Sequence, residues 1–183
     1  LGVPPGARAL LAIGRLHRQK GPDLLLESLV KPLRSDPGLH LVFVGEGPLR
    51  PVLEAHIQEL GLGNQVHLPG RHADVAGLLK SSIGCVLASR WEGMPNVVLE
   101  AMAAGCPIAA TDVEGVRELL THGETGVICK PNSVPEMRRM LTPWLADDDA
   151  RMRMAYSAQE YAQKHLAWSN VVEGYDQLYR RML

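Results

Sequence analysis

The stretch Ala88–Pro107, ASRWEGMPNVVLEAMAAGCP, carries two carboxylates, Glu92 and Glu100, with seven residues between them. Glu92 lies among turn-forming residues, whereas Glu100 lies in a run that is otherwise apolar except for Asn96. An ionised carboxylate on so apolar a helix must be exposed, paired or bonded to a ligand, because burying it without a partner costs several kcal/mol. A ribose diol would satisfy Glu100 through two hydroxyl donors. A solvent-facing glutamate is the alternative.

The residues after Glu92 predict the start of a helix. Gly93 belongs to a turn, and Pro95 suits the first helical position because its missing N–H would be unpaired there in any case. The free backbone N–H groups near this start, including those of Asn96 and Val97, would form an anion site. Glu92 would then lie nearer the far end of a ligand bound at this site.

Two cations occupy an earlier loop, GRLHRQKG, which begins at Gly14 and ends at Gly21. Arg15 and Lys20 beside a helix N-terminus could bind a multiply charged anion, because each neutralises charge and the helix end adds its dipole. A solvated basic loop explains the same residues.

Two further loops carry weaker signals. The segment VGEGP includes Gly45, but it lacks the Lys-Ser/Thr of a P-loop and the third glycine of a dinucleotide fingerprint. Its glycines could serve a tight turn or the approach of a nucleotide. The segment PGRHAD contains Arg71, beside which a base could be recognised by main-chain groups; a surface arginine is the simpler interpretation.

Short apolar runs that alternate with helical segments indicate the architecture that must position these loops. Six runs are typical of buried strands, namely ARALLAIG, LHLVFVG, NQVHLPG, IGCVLAS, PIAAT and TGVIC. The pattern predicts a doubly wound parallel sheet of Rossmann type. Ligands of such sheets bind beyond the carboxyl ends of the strands, which is where the loops above lie.

Helix signals refine this picture. Pro32 is expected to end or kink the first helix, and Ser133 with Glu136 forms a capping box. Pro143 and the run Asp147–Asp149 are expected to separate two later helices. We therefore predict a nucleotide-binding domain over residues 1–146 and C-terminal helices over residues 147–183.

Composition limits the classes of function. Among 183 residues, 46% are hydrophobic and 4% aromatic, which favours a globular core of aliphatic side chains. The net charge of −1 argues against nucleic acid as a partner. The three cysteines are expected to be buried reduced thiols of a cytoplasmic protein. The seven histidines lack metal-ligand spacing, so no metal site is predicted.

With these residues in view, the chain resembles the C-terminal, donor-binding domain of retaining glycosyltransferases of family four, which have the two-domain GT-B fold. The matching segments lie between about residues 8 and 131, in the order GRLHRQKG, LVFVGEGP, VHLPGR, ASRWEGMPNVVLEAMAAGCPIAATDVEGVRELL and GETGVICKP. Several motifs in this order are far more specific than any single one of them.

The resemblance implies a role for each candidate residue. Arg15 and Lys20, in the loop after Gly14, would hold the donor diphosphate, and Glu92 would contact the donor sugar. Glu100 would bind the ribose. The main chain around Arg71 would bind the base, and the nucleotide would approach the backbone at Gly45. The backbone of Gly93, Met94, Pro95, Asn96 and Val97 would bind sugar and phosphate. The family is described as independent of metals and other cofactors, so the donor, a UDP-, GDP- or ADP-sugar, is the one small molecule implied.

The resemblance also implies a missing half. A complete enzyme of this kind has an N-terminal acceptor-binding domain of comparable size, so this chain would bind nucleotide without transferring sugar. The implied location is cytoplasmic, and the resemblance allows peripheral association of the full enzyme with the inner face of a membrane. Two alternatives remain at this point: a non-catalytic nucleotide-binding module, and half of a nucleotide-sugar epimerase.

Overall fold

A six-stranded parallel sheet forms the centre of the molecule. The structure is a computed structural model that describes residues 1–182. The strands are β1 Arg8–Ile13, β2 Leu39–Val44, β3 Val66–Gly70, β4 Gly84–Leu87, β5 Ile108–Thr111 and β6 Val127–Cys129. Their order across the sheet is β3-β2-β1-β4-β5-β6, with every neighbouring pair parallel. The predicted doubly wound sheet is confirmed.

The chain changes direction across this sheet between β3 and β4. Strands β1 to β3 are laid down toward one edge, and β4 then returns to the other side of β1, where Leu10 pairs with Gly84 and Leu11 with Cys85. At such a reversal the loops after the two central strands diverge and leave a crevice. The loops after β1 and β4 contain the predicted cations, Arg15 and Lys20, and the acid Glu92, whereas Glu100 lies on the helix that follows the second loop.

Helices cover both faces of the sheet. Their bounds are α1 Pro22–Ser35, α2 Arg50–Glu59, α3 Val75–Ser81, α4 Asn96–Ala104, α5 Val116–Leu119, α6 Val134–Ala146, α7 Asp148–His165 and α8 Trp168–Met182. A short 3₁₀ turn, Arg18–Lys20, precedes α1. Ser133 caps α6 by accepting from the N–H of Glu136 at 3.3 Å. The Glu136 carboxylate binds Arg139 at 2.7 Å, so only half of the predicted capping box forms.

Pro32 was predicted to end or kink the first helix. It does not end the helix, because α1 continues to Ser35. A proline inside a helix leaves the carbonyl four residues earlier without its usual donor. Here that carbonyl belongs to Ser28, and it accepts from Arg138 Nε at 3.4 Å, while Arg138 Nη2 donates to Glu27 O at 2.9 Å. A side chain of α6 therefore compensates for the proline of α1.

Pro143 likewise does not separate helices, since α6 runs through it to Ala146. The break falls at Asp147, whose side chain accepts from the N–H of Ala150 at 2.8 Å. Arg151 binds the end of α6, donating to Trp144 O at 2.9 Å and to Leu145 O at 2.7 Å. The aspartate run, and not the proline, therefore marks the boundary between α6 and α7.

Alternate residues of the central strands enter two aliphatic layers. Leu10, Leu41 and Phe43 pack with α1, α2 and α6 on one face. Leu11 and Val42 pack with α3, α4, α5 and α7 on the other. Strands buried on both faces read as continuous apolar runs, which is why the sequence revealed them.

The two C-terminal helices differ in how they pack. Helix α7 joins the second layer, where Ala158 and Ala162 lie with Met102 of α4. Helix α8 has no buried residue, and its exposed apolar side chains include Trp168, Tyr175 and Tyr179. No helix within residues 1–182 is both long enough and apolar enough to cross a membrane.

A histidine pair lies at the beginning of two strands, away from the candidate loops. Nδ1 of buried His40 and Nε2 of His67 are 2.9 Å apart, and the rings stack with centroids 5.2 Å apart. A hydrogen bond between them requires one neutral ring to accept. Burial, followed by the neighbouring charge of His40, lowers the pKa of His67 below its usual value. Protonation of His67 therefore opposes the folded state.

We expect the free energy of unfolding to fall as the pH drops through about 6.5 and below, because the unfolded chain takes up a proton that folded His67 resists. His67→Gln should reduce this acid slope. His165→Gln, on the exposed surface of α7, is the matched control and should retain it. Urea unfolding measured from about pH 8 to pH 5 tests this. Equal slopes in wild type and His67→Gln would contradict it.

Candidate active site

An ion pair joins the two loops that flank the crevice. Lys20 Nζ, in the loop after β1, donates to Glu92 Oε1, in the loop after β4, at 2.5 Å. The Glu92 side chain is 6% exposed and that of Lys20 is 24% exposed. A carboxylate this buried needs a cation or several hydrogen bonds, because its hydration is lost. Two residues predicted separately from sequence are thus in direct contact.

A hydroxyl network beneath the pair orients Glu92. Ser89 Oγ donates to the same Glu92 Oε1 at 2.5 Å. Thr111 Oγ1, at the end of β5, donates to the carbonyl of Ser89 at 2.6 Å. Ser89 and Thr111 are buried. Neither was predicted from sequence, because a small hydroxyl residue at a strand end gives no signal without its neighbours.

Arg15 is positioned differently from Lys20. Its guanidinium is exposed, and Nη2 donates to Gln19 Oε1 at 3.3 Å. Within residues 1–182 Arg15 forms no ion pair with a carboxylate, so its charge is available to a ligand. It lies at the carboxyl end of β1 on the rim of a hollow.

The first turn of α4 opens on the same side. Pro95 is the residue before the helix, with φ −81° and ψ 86°, and no side chain caps this end. Pro95 and Val97 are buried, whereas Gly93, Met94 and Asn96 are exposed. The first backbone N–H groups of a helix have no intrahelical acceptor. The prediction of a free N–H was wrong for Asn96, which donates to Met94 O at 3.1 Å. Val98 N donates to Pro95 O at 2.9 Å, which leaves the N–H of Val97 without a backbone acceptor in the described residues. This donor and the positive dipole of the uncapped helix start suit an anion.

Gly45 is required by the approach of two backbones. Its φ is +153°, and a Cβ built there would lie 1.9 Å from the carbonyl oxygen of Gly14. The loops are also bonded to each other, with Gly14 N donating to Val44 O at 3.0 Å and Leu16 N donating to Glu46 O at 2.9 Å. Gly45 thus has a structural role here, and its predicted contact with a nucleotide stays a prediction.

Two adjoining hollows extend from the ends of the strands. The first, of about 250 Å³, is lined by Gly14, Arg15, Gly45, Glu46, Arg71, His72 and Val75, among others. The second, of about 440 Å³, includes Asp74, Val75, Lys80 and Glu100. Val75 borders both, so the structure brings Arg15 and Arg71 to one hollow and places Glu100 in the next.

Glu100 is exposed on α4. A carboxylate on an apolar helix must be exposed, paired or bonded to a ligand, and the structure shows that Glu100 is exposed to solvent. Its neighbours on the helix, including Val97, Val98, Ala101 and Met102, are buried. The apolar character of the run therefore reflects the buried face of α4, and Glu100 points from the opposite face into the second hollow.

The cysteines are not part of this chemistry. Cys85, Cys106 and Cys129 are free and buried, as predicted. Burial raises the pKa of Cys106 to about 11 and that of Cys129 to about 11, and raises that of Cys85 well above its usual value. All three thiols are therefore protonated near neutral pH and are poor nucleophiles. Within residues 1–182, no three His, Cys, Asp or Glu side chains are grouped to hold a metal ion.

The parallel sheet, its strand order and the crevice at its reversal define a Rossmann-like fold, and comparison with solved structures matches it to the C-terminal domains of GT-B glycosyltransferases. The structure superposes on the C-terminal domain of a glycosyl transferase group 1 family protein from Francisella tularensis with a TM-score of 0.81 at 24% identity, covering 88% of this chain and 87% of that one. It superposes on HepE of Anabaena, solved with UDP, with a TM-score of 0.82 at 26% identity, covering 96% of this chain and 48% of that one.

Sequence comparison gives the family. Residues 1–161 match the model for glycosyl transferases group 1, and the chain belongs to that family. It is 34% identical over 151 residues to the alpha-D-kanosaminyltransferase of Streptomyces kanamyceticus, covering 81% of this chain and 39% of that protein. It is 30% identical over 176 residues to a glycogen synthase of Mycobacterium tuberculosis, covering 95% and 42%. The chain thus spans less than half the length of these relatives.

The Lys20–Glu92 pair predicts an asymmetric effect on stability. Lys20→Met should destabilise the fold by about 1–3 kcal/mol, because it leaves the more buried carboxylate with Ser89 as its remaining donor. Glu92→Gln should cost less, since Lys20 is the more exposed partner. The double variant should be less unstable than the sum of the two changes. Denaturant unfolding of the four proteins measures this; additive losses would show that the two side chains do not interact.

Proposed function

We propose that this chain is the donor-binding domain of a retaining glycosyltransferase of family four, which transfers a sugar from a nucleotide-diphosphate sugar to an acceptor hydroxyl. One observation carries the proposal: Lys20 and Glu92 meet at 2.5 Å beside the uncapped start of α4, at the reversal of the sheet. This arrangement offers a cation, an acid and the N–H of Val97 to one ligand.

The diphosphate would lie between the loop after β1 and the first turn of α4. Arg15 and Lys20 supply two positive charges, and the N–H of Val97 at the uncapped start of α4 supplies a directed donor. As the sugar departs, negative charge grows on the diphosphate, and fixed cations and dipoles stabilise that charge without reorganising. These groups would perform the leaving-group stabilisation that a divalent metal provides in other transferases.

Glu92 would bind the donor sugar. Its Oε1 already accepts from Lys20 and Ser89, whereas Oε2 accepts no hydrogen bond from residues 1–182. A sugar hydroxyl would donate to Oε2. The same carboxylate would thus link sugar position to phosphate position through Lys20, and binding of one end of the donor would orient the other.

The nucleoside would occupy the two hollows. Glu100, exposed beside Val75, would accept from the ribose hydroxyls, and the base would lie near Gly45 and the main chain of Arg71. Relatives of similar fold support a nucleotide here, because HepE of Anabaena was solved with UDP and with UDP-glucose. The donor proposed for this chain is a UDP-, GDP- or ADP-sugar.

Transfer would need a second domain. The chain covers 39% and 42% of two curated relatives, and the acceptor is proposed to attack from an N-terminal domain across the crevice. The exposed apolar face of α8, with Trp168, Tyr175 and Tyr179, is proposed to pack on that domain. The chain alone would then bind nucleotide without transferring sugar. We further propose that the enzyme is cytoplasmic and needs no metal or other cofactor. Its full-length form would be free to associate with the inner membrane face.

Calorimetric titration of the chain with UDP, GDP and ADP tests the proposal. At least one of them should bind. Glu100→Ala should lower the affinity for that nucleotide by about tenfold or more, since a hydrogen bond to a charged group contributes about 1.5–3 kcal/mol. Glu160→Ala, which removes another exposed helical glutamate, should bind as wild type does. No binding of any of the three at millimolar concentration would overturn the proposal.

A further inference from the structure

Arg90, which lies between Ser89 and the Trp91–Glu92 turn, makes a second contact between the loop after β1 and the loop after β4, called here the site loops. Arg90 Nη1 donates to Asp23 Oδ1 at 3.0 Å and Nη2 donates to Asp23 Oδ2 at 2.7 Å, so the pair is bidentate. Nη1 also donates to the carbonyl of Arg18 at 2.7 Å. Asp23 lies in the first turn of α1, and Arg18 opens the 3₁₀ turn that contains Lys20.

Backbone contacts place the same two loops against each other. Arg90 N donates to the carbonyl of Gln19 at 2.7 Å, and Gln19 Nε2 donates to the carbonyl of Trp91 at 3.2 Å. Gly21 has φ +59°, and a Cβ there would lie 2.2 Å from the carbonyl oxygen of Ala88. Residues on both sides of Lys20 are therefore bonded to, or in contact with, the loop that carries Glu92.

The terminal nitrogens of the Arg90 guanidinium are engaged within the chain. Its side chain is 14% exposed, and Asp23 and the Arg18 carbonyl account for both terminal nitrogens. Burial raises the pKa of Asp23, but the hydrogen bond and charge of Arg90 outweigh this and hold the pKa below its usual value. The pair stays ionised through the neutral range.

These contacts bear on Lys20 in particular. A lysine side chain has four rotatable bonds, and fixing its ammonium at one point costs conformational entropy. When its backbone is held on both sides, fewer degrees of freedom remain, and its ammonium is already directed to Glu92. Preorganised charges stabilise a ligand more effectively than charges that must first be ordered.

We propose that Arg90 is a positioning residue, which acts through Asp23 and the Arg18 carbonyl to hold Lys20 in register with Glu92 for binding of the donor diphosphate. This inference rests on the proposed function of the site. It assigns Arg90 and Asp23 no contact with the donor. Their loss should therefore weaken recognition of the phosphates and leave recognition of the nucleoside nearly unchanged.

The test compares a nucleoside diphosphate with its own nucleoside. The ligand is whichever of UDP, GDP or ADP the wild type binds best. Arg90→Met should lower the affinity for this diphosphate about tenfold or more and should lower the affinity for the matching nucleoside less than about twofold. Arg90→Lys retains the charge but not the fork geometry, so it should recover part of the loss. Asp23→Asn should resemble Arg90→Met, and the double variant should be no weaker than Arg90→Met alone.

Arg34→Met is the matched control, because Arg34 is another arginine that donates to a loop carbonyl, Leu60 O at 2.9 Å, outside the site loops. It should leave both affinities unchanged. Hydrogen exchange of the wild type and the variants supplies a readout that needs no nucleotide: Arg90→Met should speed exchange in residues 15–21 and leave α7 unchanged.

The outcomes separate the two proposals. If wild type binds no nucleotide, the proposed function fails and this inference fails with it. If wild type binds and Arg90→Met behaves as Arg34→Met does, the inference alone is overturned. Equal weakening of diphosphate and nucleoside, or faster exchange across the whole chain, would show a general structural role and would also overturn it. Should Arg90→Met not fold, Arg90→Lys and Asp23→Asn decide by the same comparison.

Discussion

The ion pair between Lys20 and Glu92 spans the point where the sheet reverses, and the arrangement of the candidate site depends on it. The lysine follows β1 and the glutamate follows β4, so they can meet only because these strands are neighbours. A carboxylate that is 6% exposed would be costly without a cation nearby. The pair therefore couples the stability of the two loops to the chemistry they are proposed to perform.

Much of the surrounding structure restricts the movement of this pair. Ser89 donates its hydroxyl to Glu92, and Thr111 holds Ser89 by donating to its backbone carbonyl. Gly45 lets the loop after β2 close against the loop after β1. The aliphatic layers on both faces of the sheet fix the strand ends from which these loops leave. A site built in this way presents its charges before a ligand arrives, which would favour the proposed electrostatic stabilisation of a departing diphosphate.

The sequence predicted the strands well because strands buried on both faces are short continuous apolar runs. It also predicted that the loops of Lys20 and Glu92 lie at the same edge of the sheet, and the two side chains do meet there; their role in a donor site stays a prediction. It failed where distant side chains decide the outcome. Pro32 did not end α1 because Arg138, on another helix, serves the carbonyl that the proline leaves free. Ser89 and Thr111 near Glu92 and the bridge from Arg90 were hidden for the same reason.

Amide chemical shifts of the ¹⁵N-labelled chain can map where a nucleoside diphosphate binds and so test whether the ligand lies between the loops that carry Lys20 and Glu92. The nucleotide that binds best should produce its largest saturable shifts in Gly14–Lys20 and Gly93–Val97, on the two sides of the ion pair. Saturable shifts confined to another region, such as the surface formed by Gly123–Thr125 and α7, would contradict the account, as would a nucleotide that moves the amides of neither loop.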